Sequence, residues 1–268
     1  MTSAAAVATH ELMQMNDVLI EPTALAFARD GYLVVRALAE KSMLTQMREC
    51  VLRALQPLQA PAEFEAEVGY PGAPLDRCAP GGDTVRRLLH AYSRDEVFRR
   101  WAAAPAVTTI LRSLMHNQCV SMSQCHHNCV MTKHPGFSSE TMWHQDIRYW
   151  SFDAPELISV WLALGAERKE NGALRVIPGS HRGHLDRGRL DMHLFLRPEL
   201  EENQALIASA VQIELAPGDV LFFHCKLFHA AGANTTDDVK LSTVFTYHAQ
   251  DNRPIPGTRS AQYPSIAV

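Results

Sequence analysis

The segment Pro217-Gly218-Asp219-Val220-Leu221-Phe222-Phe223-His224 shows the pattern that decides the fold of this 268-residue chain. A Pro-Gly-Asp turn precedes a short apolar run, which is typical of a buried β-strand that begins at a turn. Similar runs recur from residue 117 onwards: Cys119–Met122, Cys129–Thr132, Leu157–Leu164, Leu174–Ile177, Val211–Leu215 and Leu241–His248. Strands at this short spacing predict an all-β sandwich or barrel.

The first half of the chain has a different pattern. Residues 1–21 are rich in Ala and Met without clean periodicity, and we expect them to be loosely ordered. Residues 22–116 are expected to be mostly helical, because apolar side chains recur at helical steps from Lys41 and a capping box at Ser93-x-x-Glu96 opens another helix. Within this region, residues 56–82 are rich in Pro, Ala and Gly and predict irregular structure. We therefore expect one domain over residues 1–268, mainly β, with N-terminal helices packed on a β core at 117–250.

The composition excludes several functional classes. Lys and Arg total 25 against 29 Asp and Glu, and no basic stripe is present, so we expect no nucleic-acid partner. No stretch approaches the roughly 18 apolar residues of a membrane helix, and the start of the chain does not resemble a signal peptide. Six cysteines are too few for a disulfide scaffold, which favours reduced thiols and a cytoplasmic location.

The pair His144-x-Asp146 is the first candidate for chemistry. On an extended segment, residues two apart point the same way, so the two side chains can converge on one point. Together with one remote histidine they have the composition of the facial triad that binds Fe(II) and leaves positions open for other ligands. The spacing alone is also common in surface and capping pairs, so the neighbouring sequence is needed to distinguish a metal site from a structural pair.

Four blocks of sequence supply that context. They are Phe27-Ala28-Arg29-Asp30-Gly31-Tyr32-Leu33-Val34-Val35; Lys133-His134-Pro135-Gly136 ahead of Trp143-His144-Gln145-Asp146-x-x-Tyr149-Trp150; Asn171-Gly172-Ala173-Leu174 with Ile177-Pro178-Gly179-Ser180-His181; and Pro217-Gly218-Asp219 with His229-x-x-Gly232-x-Asn234. In this order they resemble the phytanoyl-CoA hydroxylase family of iron- and 2-oxoglutarate-dependent oxygenases. The resemblance extends from residue 27 to about residue 248 and implies a double-stranded β-helix core of the jelly-roll or cupin type.

The resemblance also implies the metal ligands, which are His144, Asp146 and His229. His224 lies five residues before His229 and is the competing candidate for the distal ligand. The family pattern places that ligand just before the Gly-x-Asn turn, which favours His229. His181 is expected to be a structural element of its turn.

Further site residues follow from the same resemblance. The far carboxylate of 2-oxoglutarate needs a cation, which the family usually supplies as Arg; Lys240 stands at that position here, and Arg259 is the alternative. Relatives often place a small hydroxyl residue where this chain has Ala231. The remaining candidates are Ser242, Trp161 and Cys129 for the cosubstrate, and Arg148, Tyr149 and Trp150 for the substrate. The run Cys125-His126-His127-Asn128-Cys129 matches no standard zinc site, and we expect Cys125, His127 and Cys129 to share one face.

The sequence thus predicts an enzyme, a non-haem Fe(II)- and 2-oxoglutarate-dependent dioxygenase. It is expected to use O2 to hydroxylate an unactivated C–H bond of a small metabolite, with release of succinate and CO2. We expect a monomer or homodimer. The alternatives are a non-catalytic jelly-roll module that binds a metal or small ligand, and a zinc hydrolase that uses the same three ligands.

Overall fold

A computed structural model describes residues 23–268, so the loose order expected for residues 1–21 concerns a segment outside the described part of the chain. The helices are α1 (residues 23–30), α2 (Lys41–Leu55), α3 (Ala91–Arg94), α4 (Glu96–Ala102), α5 (Pro105–Leu114) and α6 (Glu201–Ala208). The strands are β1 (Tyr32–Val35), β2 (Ala62–Phe64), β3 (Val85–Leu89), β4 (Val120–Lys133), β5 (Thr141–His144), β6 (Leu157–Ala163), β7 (Leu174–Val176), β8 (Val211–Gln212), β9 (Val220–His224), β10 (His229–Ala231), β11 (Lys240–Ala249) and β12 (Ile266–Ala267).

These strands form two antiparallel sheets. The larger has eight strands in the order β1-β9-β6-β11-β4-β3-β2, with β12 added to β4, and the smaller has the order β5-β10-β7-β8. Trp161 and Val244 of the larger sheet share one apolar cluster with Leu174 and Val176 of the smaller sheet. The two sheets therefore face each other, and the predicted mainly β fold is confirmed.

Helices α1 to α5 cover the outer face of the larger sheet. Successive residues of β9 show the division, because Phe222 packs in the cluster that includes Met47 and Trp101 of the helices, whereas Phe223 packs between the sheets. This alternation follows from the period of two along a strand. Among residues 23–268, no helix is both long and apolar enough to span a membrane.

Two local expectations were wrong. Strand β2 lies within the stretch expected to be irregular, and it pairs with β3 to extend the larger sheet. The hairpin of β2 and β3 is difficult to recognise in the sequence, because Arg86 and Arg87 interrupt the apolar run of β3. In the structure, they are paired with Glu65 at 3.1 Å and Glu63 at 2.9 Å.

The start of α4 also differs from the expected capping box. Asp95 is the N-cap, and its carboxylate accepts a hydrogen bond from the Val97 backbone N–H at 3.0 Å. Ser93 lies one element earlier, within the short helix α3. An Asp at the N-cap satisfies the free N–H groups as well as Ser does, so the residue type alone could not choose between them.

Candidate active site

Three predicted metal ligands meet between the sheets. His144 ends β5, Asp146 begins a 3-10 turn (Asp146–Tyr149), and His229 begins β10 directly opposite His144 in the ladder. Asp146 Oδ1 lies 3.7 Å from His144 Nε2 and 3.6 Å from His229 Nε2. The carboxylate is thus brought in by the turn that follows the strand, and not by a continuous extended segment as the sequence suggested.

Backbone carbonyls fix the orientation of both imidazoles. His144 Nδ1 lies 2.8 Å from the Met142 carbonyl oxygen, and His229 Nδ1 lies 3.0 Å from that of Leu227. Because a carbonyl can only accept, Nδ1 of each ring carries the hydrogen and Nε2 presents its lone pair to the centre. Such a hydrogen bond on the outer nitrogen is what metal-binding histidines usually have.

The charge state of the cluster also suits a divalent cation. Burial lowers the pKa of His144 well below its ordinary value. Burial alone would raise the pKa of Asp146, but the nearby His127, His229 and His144 and the hydrogen bond from Ser159 outweigh it and lower that pKa. The result is an ionised carboxylate facing imidazole lone pairs, and two nitrogens with one oxygen form the donor set of non-haem Fe(II) sites.

The competing histidines lie outside this cluster. His224 Nε2 is 2.9 Å from a carboxylate oxygen of Glu156, and its Nδ1 accepts from the Lys226 N–H at 3.1 Å. His181 packs against Gly31, where an added Cβ would lie 2.4 Å from His181 Nδ1. This contact joins two of the four sequence blocks and explains why Gly31, at φ +80°, has no side chain.

A cavity of about 500 Å³ opens over the three donors. Its wall includes the predicted substrate residues Arg148, Tyr149 and Trp150, and also Arg259. His126 and His127 both line it although they are sequence neighbours, because the pairing of β4 with β11 shifts register near Phe245 and alternation is lost there. This irregularity was not visible in the sequence.

Lys240 lies in the wall of the cavity with a partner that the sequence analysis missed. Its Nζ is 3.1 Å from Oε2 of Glu167, and both side chains are buried. Glu167 Oε1 accepts hydrogen bonds from Trp161 Nε1 at 2.8 Å and from Ser242 Oγ at 2.5 Å. Three of the predicted cosubstrate residues are thus organised around one carboxylate, and Ser242 itself does not line the cavity.

A second lysine, Lys133, stands beside this group. It is directly opposite Lys240 in the β4–β11 ladder, lines the cavity, and donates to the Ser139 carbonyl at 3.0 Å. Burial, together with the positive charges of Lys240 and Arg86, lowers its pKa to about 7, although Glu65 and Glu140 partly offset these effects. In the sequence, Lys133 is recognisable only as part of the Lys133-His134-Pro135-Gly136 block, because its pairing with Lys240 depends on strand register.

Gly172 packs against the stem of this lysine. At φ +75° it adopts a left-handed conformation, and an added Cβ would lie 2.6 Å from Lys133 Cε and 2.4 Å from the Gly232 carbonyl oxygen. The Asn-Gly block therefore supports the cavity wall at Lys133. By contrast, Cys129 packs in the apolar cluster between the sheets, with its Sγ 3.7 Å from Met131 Sδ, and does not line the cavity.

Comparison with known proteins places this site in a family. The model of the phytanoyl-CoA dioxygenase family matches residues 27–242, which is most of the chain. The chain belongs to the phytanoyl-CoA dioxygenase family. The ectoine dioxygenase of Sphingopyxis alaskensis is 25% identical over 247 residues, covering 86% of this chain and 76% of that protein. Several other family members are longer, and the chain spans little more than half of their length.

Solved structures show the same fold. EctD from S. alaskensis, solved with 2-oxoglutarate and 5-hydroxyectoine, has a TM-score of 0.70 at 23% identity, over 87% of this chain and 77% of that chain. The epimerase SnoN, solved with Fe3+, alpha ketoglutarate and nogalamycin RO, has a TM-score of 0.69 at 22% identity, over 90% and 92%. The predicted jelly-roll class is confirmed, and the iron and 2-oxoglutarate predicted from the sequence are bound in these structures of the same fold.

Proposed function

We propose that this member of the family is an Fe(II)- and 2-oxoglutarate-dependent dioxygenase that hydroxylates an unactivated C–H bond of a small metabolite, with release of succinate and CO2. The observation that carries the proposal is the convergence of His144 Nε2, His229 Nε2 and Asp146 Oδ1 at the base of a cavity lined by cationic side chains. These three residues would hold the iron. Bound iron and 2-oxoglutarate together supply the activation of dioxygen.

The protein's own contribution begins with the metal ligands. The carbonyls of Met142 and Leu227 hold the two imidazoles in one tautomer, and Ser159 donates to the second oxygen of Asp146 at 3.3 Å. Ligands fixed in this way need little reorganisation when the metal binds. Asp146 supplies the single anionic ligand, whose presence favours hydroxylation over the halogenation of relatives that lack this carboxylate.

The pair of lysines is the proposed anchor for 2-oxoglutarate. Like charges directly opposite each other in a ladder are destabilising, and Lys133 and Lys240 are also buried at this position. Glu167 compensates for the charge of Lys240, whereas within residues 23–268 no carboxylate lies within ion-pair distance of Lys133. The far carboxylate of 2-oxoglutarate would neutralise the remaining positive charge, that of Lys133. In this arrangement Trp161 and Ser242 act by positioning Glu167.

An anaerobic titration tests the proposal. Fe(II) and 2-oxoglutarate together should give the protein a weak visible charge-transfer band, whereas Zn(II) should give none. His229→Ala should lose the band, and His224→Ala, a matched change outside the donor cluster, should keep it. If the parent protein gives no band while still binding Zn(II), the zinc hydrolase is the better assignment and the dioxygenase proposal fails.

A further inference from the structure

The cavity is lined by more cationic side chains than the binding of 2-oxoglutarate requires. Six cationic side chains line it: Arg86, Arg87, Lys133, Arg148, Lys240 and Arg259. Three of them form ion pairs, Arg86 with Glu65, Arg87 with Glu63, and Lys240 with Glu167. Within residues 23–268, the other three have no carboxylate within ion-pair distance. The proposed anchor assigns Lys133 to 2-oxoglutarate, which leaves two arginines.

Of these two, Arg148 is the one held in a fixed orientation. Its guanidinium carbon lies 3.7 Å from the ring centre of Phe195 and 4.3 Å from that of Tyr149. Its Nη2 donates to the Tyr149 hydroxyl, which in turn lies 3.3 Å from the hydroxyl of Tyr70. A guanidinium stacked on aromatic rings loses little further freedom when it binds an anion.

One nitrogen of this guanidinium has no acceptor. Arg148 Nη1 is shielded from solvent and, in the described part of the chain, has no hydrogen-bond partner. Leaving a buried charged donor unsatisfied is costly, so this nitrogen requires an acceptor that the described residues do not supply. Since Arg148 lines the cavity, its guanidinium can meet an acceptor on a bound molecule there.

The position relative to the metal ligands is also suitable. Arg148 lies in the 3-10 turn that begins with Asp146, and Phe195 packs against both Arg148 and the His144 ring, whose centre is 5.9 Å from that of Phe195. A molecule bound to the Arg148 guanidinium would therefore lie beside the donor cluster. The two lysines of the cosubstrate anchor belong to other elements, β4 and β11.

We propose that Arg148 is a specificity-determining residue and that it binds an oxyanion group, a carboxylate or a phosphate, on the substrate. The proposal rests on the function proposed above, because it requires 2-oxoglutarate to occupy the lysine anchor and leave Arg148 free. A substrate held in this way has its anionic end on the 3-10 turn and the rest of the molecule over the donor cluster.

Calorimetric titration of the anaerobic Fe(II)–2-oxoglutarate complex tests this assignment, with benzoate, phenyl phosphate and benzamide as probes. They share one ring, and they differ in the group offered to Arg148. We expect at least one anion to bind about tenfold or more tightly than benzamide, because a charge-assisted hydrogen bond contributes a factor of roughly 10 to 100. Preference for benzoate indicates a carboxylate substrate, and preference for phenyl phosphate indicates a phosphate substrate.

Variants test whether Arg148 is the residue responsible for the preference for anionic probes. Arg148→Met should abolish it, Arg148→Lys should keep part of it, and Arg53→Met, a control at an exposed arginine of α2, should not change it. The charge-transfer band should persist in all of them, and its absence in the parent would instead refute the function proposed above. Equal binding of all three probes by the parent, or a preference that survives in both Arg148 variants, overturns the anion assignment.

Discussion

Replacement of Lys240 by Met separates two contributions of this residue, to the fold and to cosubstrate binding. The side chain is buried, and its ammonium is 3.1 Å from Glu167, which is 1% exposed. Its removal leaves a buried carboxylate without a cation, which typically costs about 3–5 kcal/mol. Two donors remain, from Trp161 and Ser242, so we expect the lower end of that range.

A loss of about 3 kcal/mol should lower the Tm of a protein of this size by roughly 6–12 °C. The double variant Lys240→Met/Glu167→Gln removes both charges, and we expect it to recover most of this loss, because no buried charge is then left unpaired. Thermal and urea unfolding of the parent, both single variants and the double variant give the coupling energy between the two residues.

Cosubstrate binding by the same four proteins supplies the second measurement. If Lys133 and Lys240 share the far carboxylate of 2-oxoglutarate, the double variant should fold but still bind it more weakly than the parent. A Lys240→Met variant that unfolds at the parent temperature would show that the ion pair does not contribute. A double variant as unstable as the single one would indicate lost packing and not lost charge balance.

Three more predictions concern the metal and the cosubstrate. His229→Ala should abolish the anaerobic charge-transfer band and turnover while His224→Ala retains both; the opposite result would make His224 the distal ligand. Lys133 has a pKa of about 7, and a bound carboxylate stabilises its charged form. The affinity for 2-oxoglutarate, measured by calorimetry, should therefore fall as pH rises above 7, by up to about tenfold per pH unit. This dependence should be absent in Lys133→Met. Gly172→Ala should lower the Tm and weaken 2-oxoglutarate binding about tenfold, because the added Cβ would displace the Lys133 side chain. An affinity equal to that of the parent would show that Gly172 does not position Lys133.

The sequence was sufficient to predict the elements that carry local signals. The Pro-Gly-Asp turn before β9 and the apolar runs of β6 and β11 follow from turn chemistry and burial. The hairpin of β2 and β3 could not be found in this way, because Arg86 and Arg87 make a buried strand resemble an exposed one. Their partners, Glu65 and Glu63, come from another part of the chain and become neighbours only after the sheet forms.

In the candidate site too, some residues could be predicted from sequence motifs and others could not. Residues within motifs could be assigned from the chain alone, and His144, Asp146 and His229 do come together. Glu167 follows β6 without any motif, and its importance depends on the distance to Lys240. The closeness of Lys133 to Lys240 depends on a register between strands more than a hundred residues apart in the sequence. Pairings of this kind are set by tertiary structure.

The ion pair also explains how a lysine can stand where the family usually has an arginine. An arginine offers a planar fork that can bind two acceptors at once, whereas a lysine is a single point charge. Here the charge and the geometry are divided among several groups: Lys240 is fixed by Glu167, and Lys133 adds a second ammonium from the adjacent strand. Because Trp161 and Ser242 hold the Glu167 carboxylate from the other side, Lys240 has little freedom to move away when the cavity is empty. Replacing Lys240 with Arg would crowd this arrangement, so we expect Lys240→Arg to bind 2-oxoglutarate less tightly than the parent and more tightly than Lys240→Met, as measured by anaerobic titration. Tighter binding than the parent would mean that the pocket already accommodates the fork and that Lys133 is not needed as a second cation.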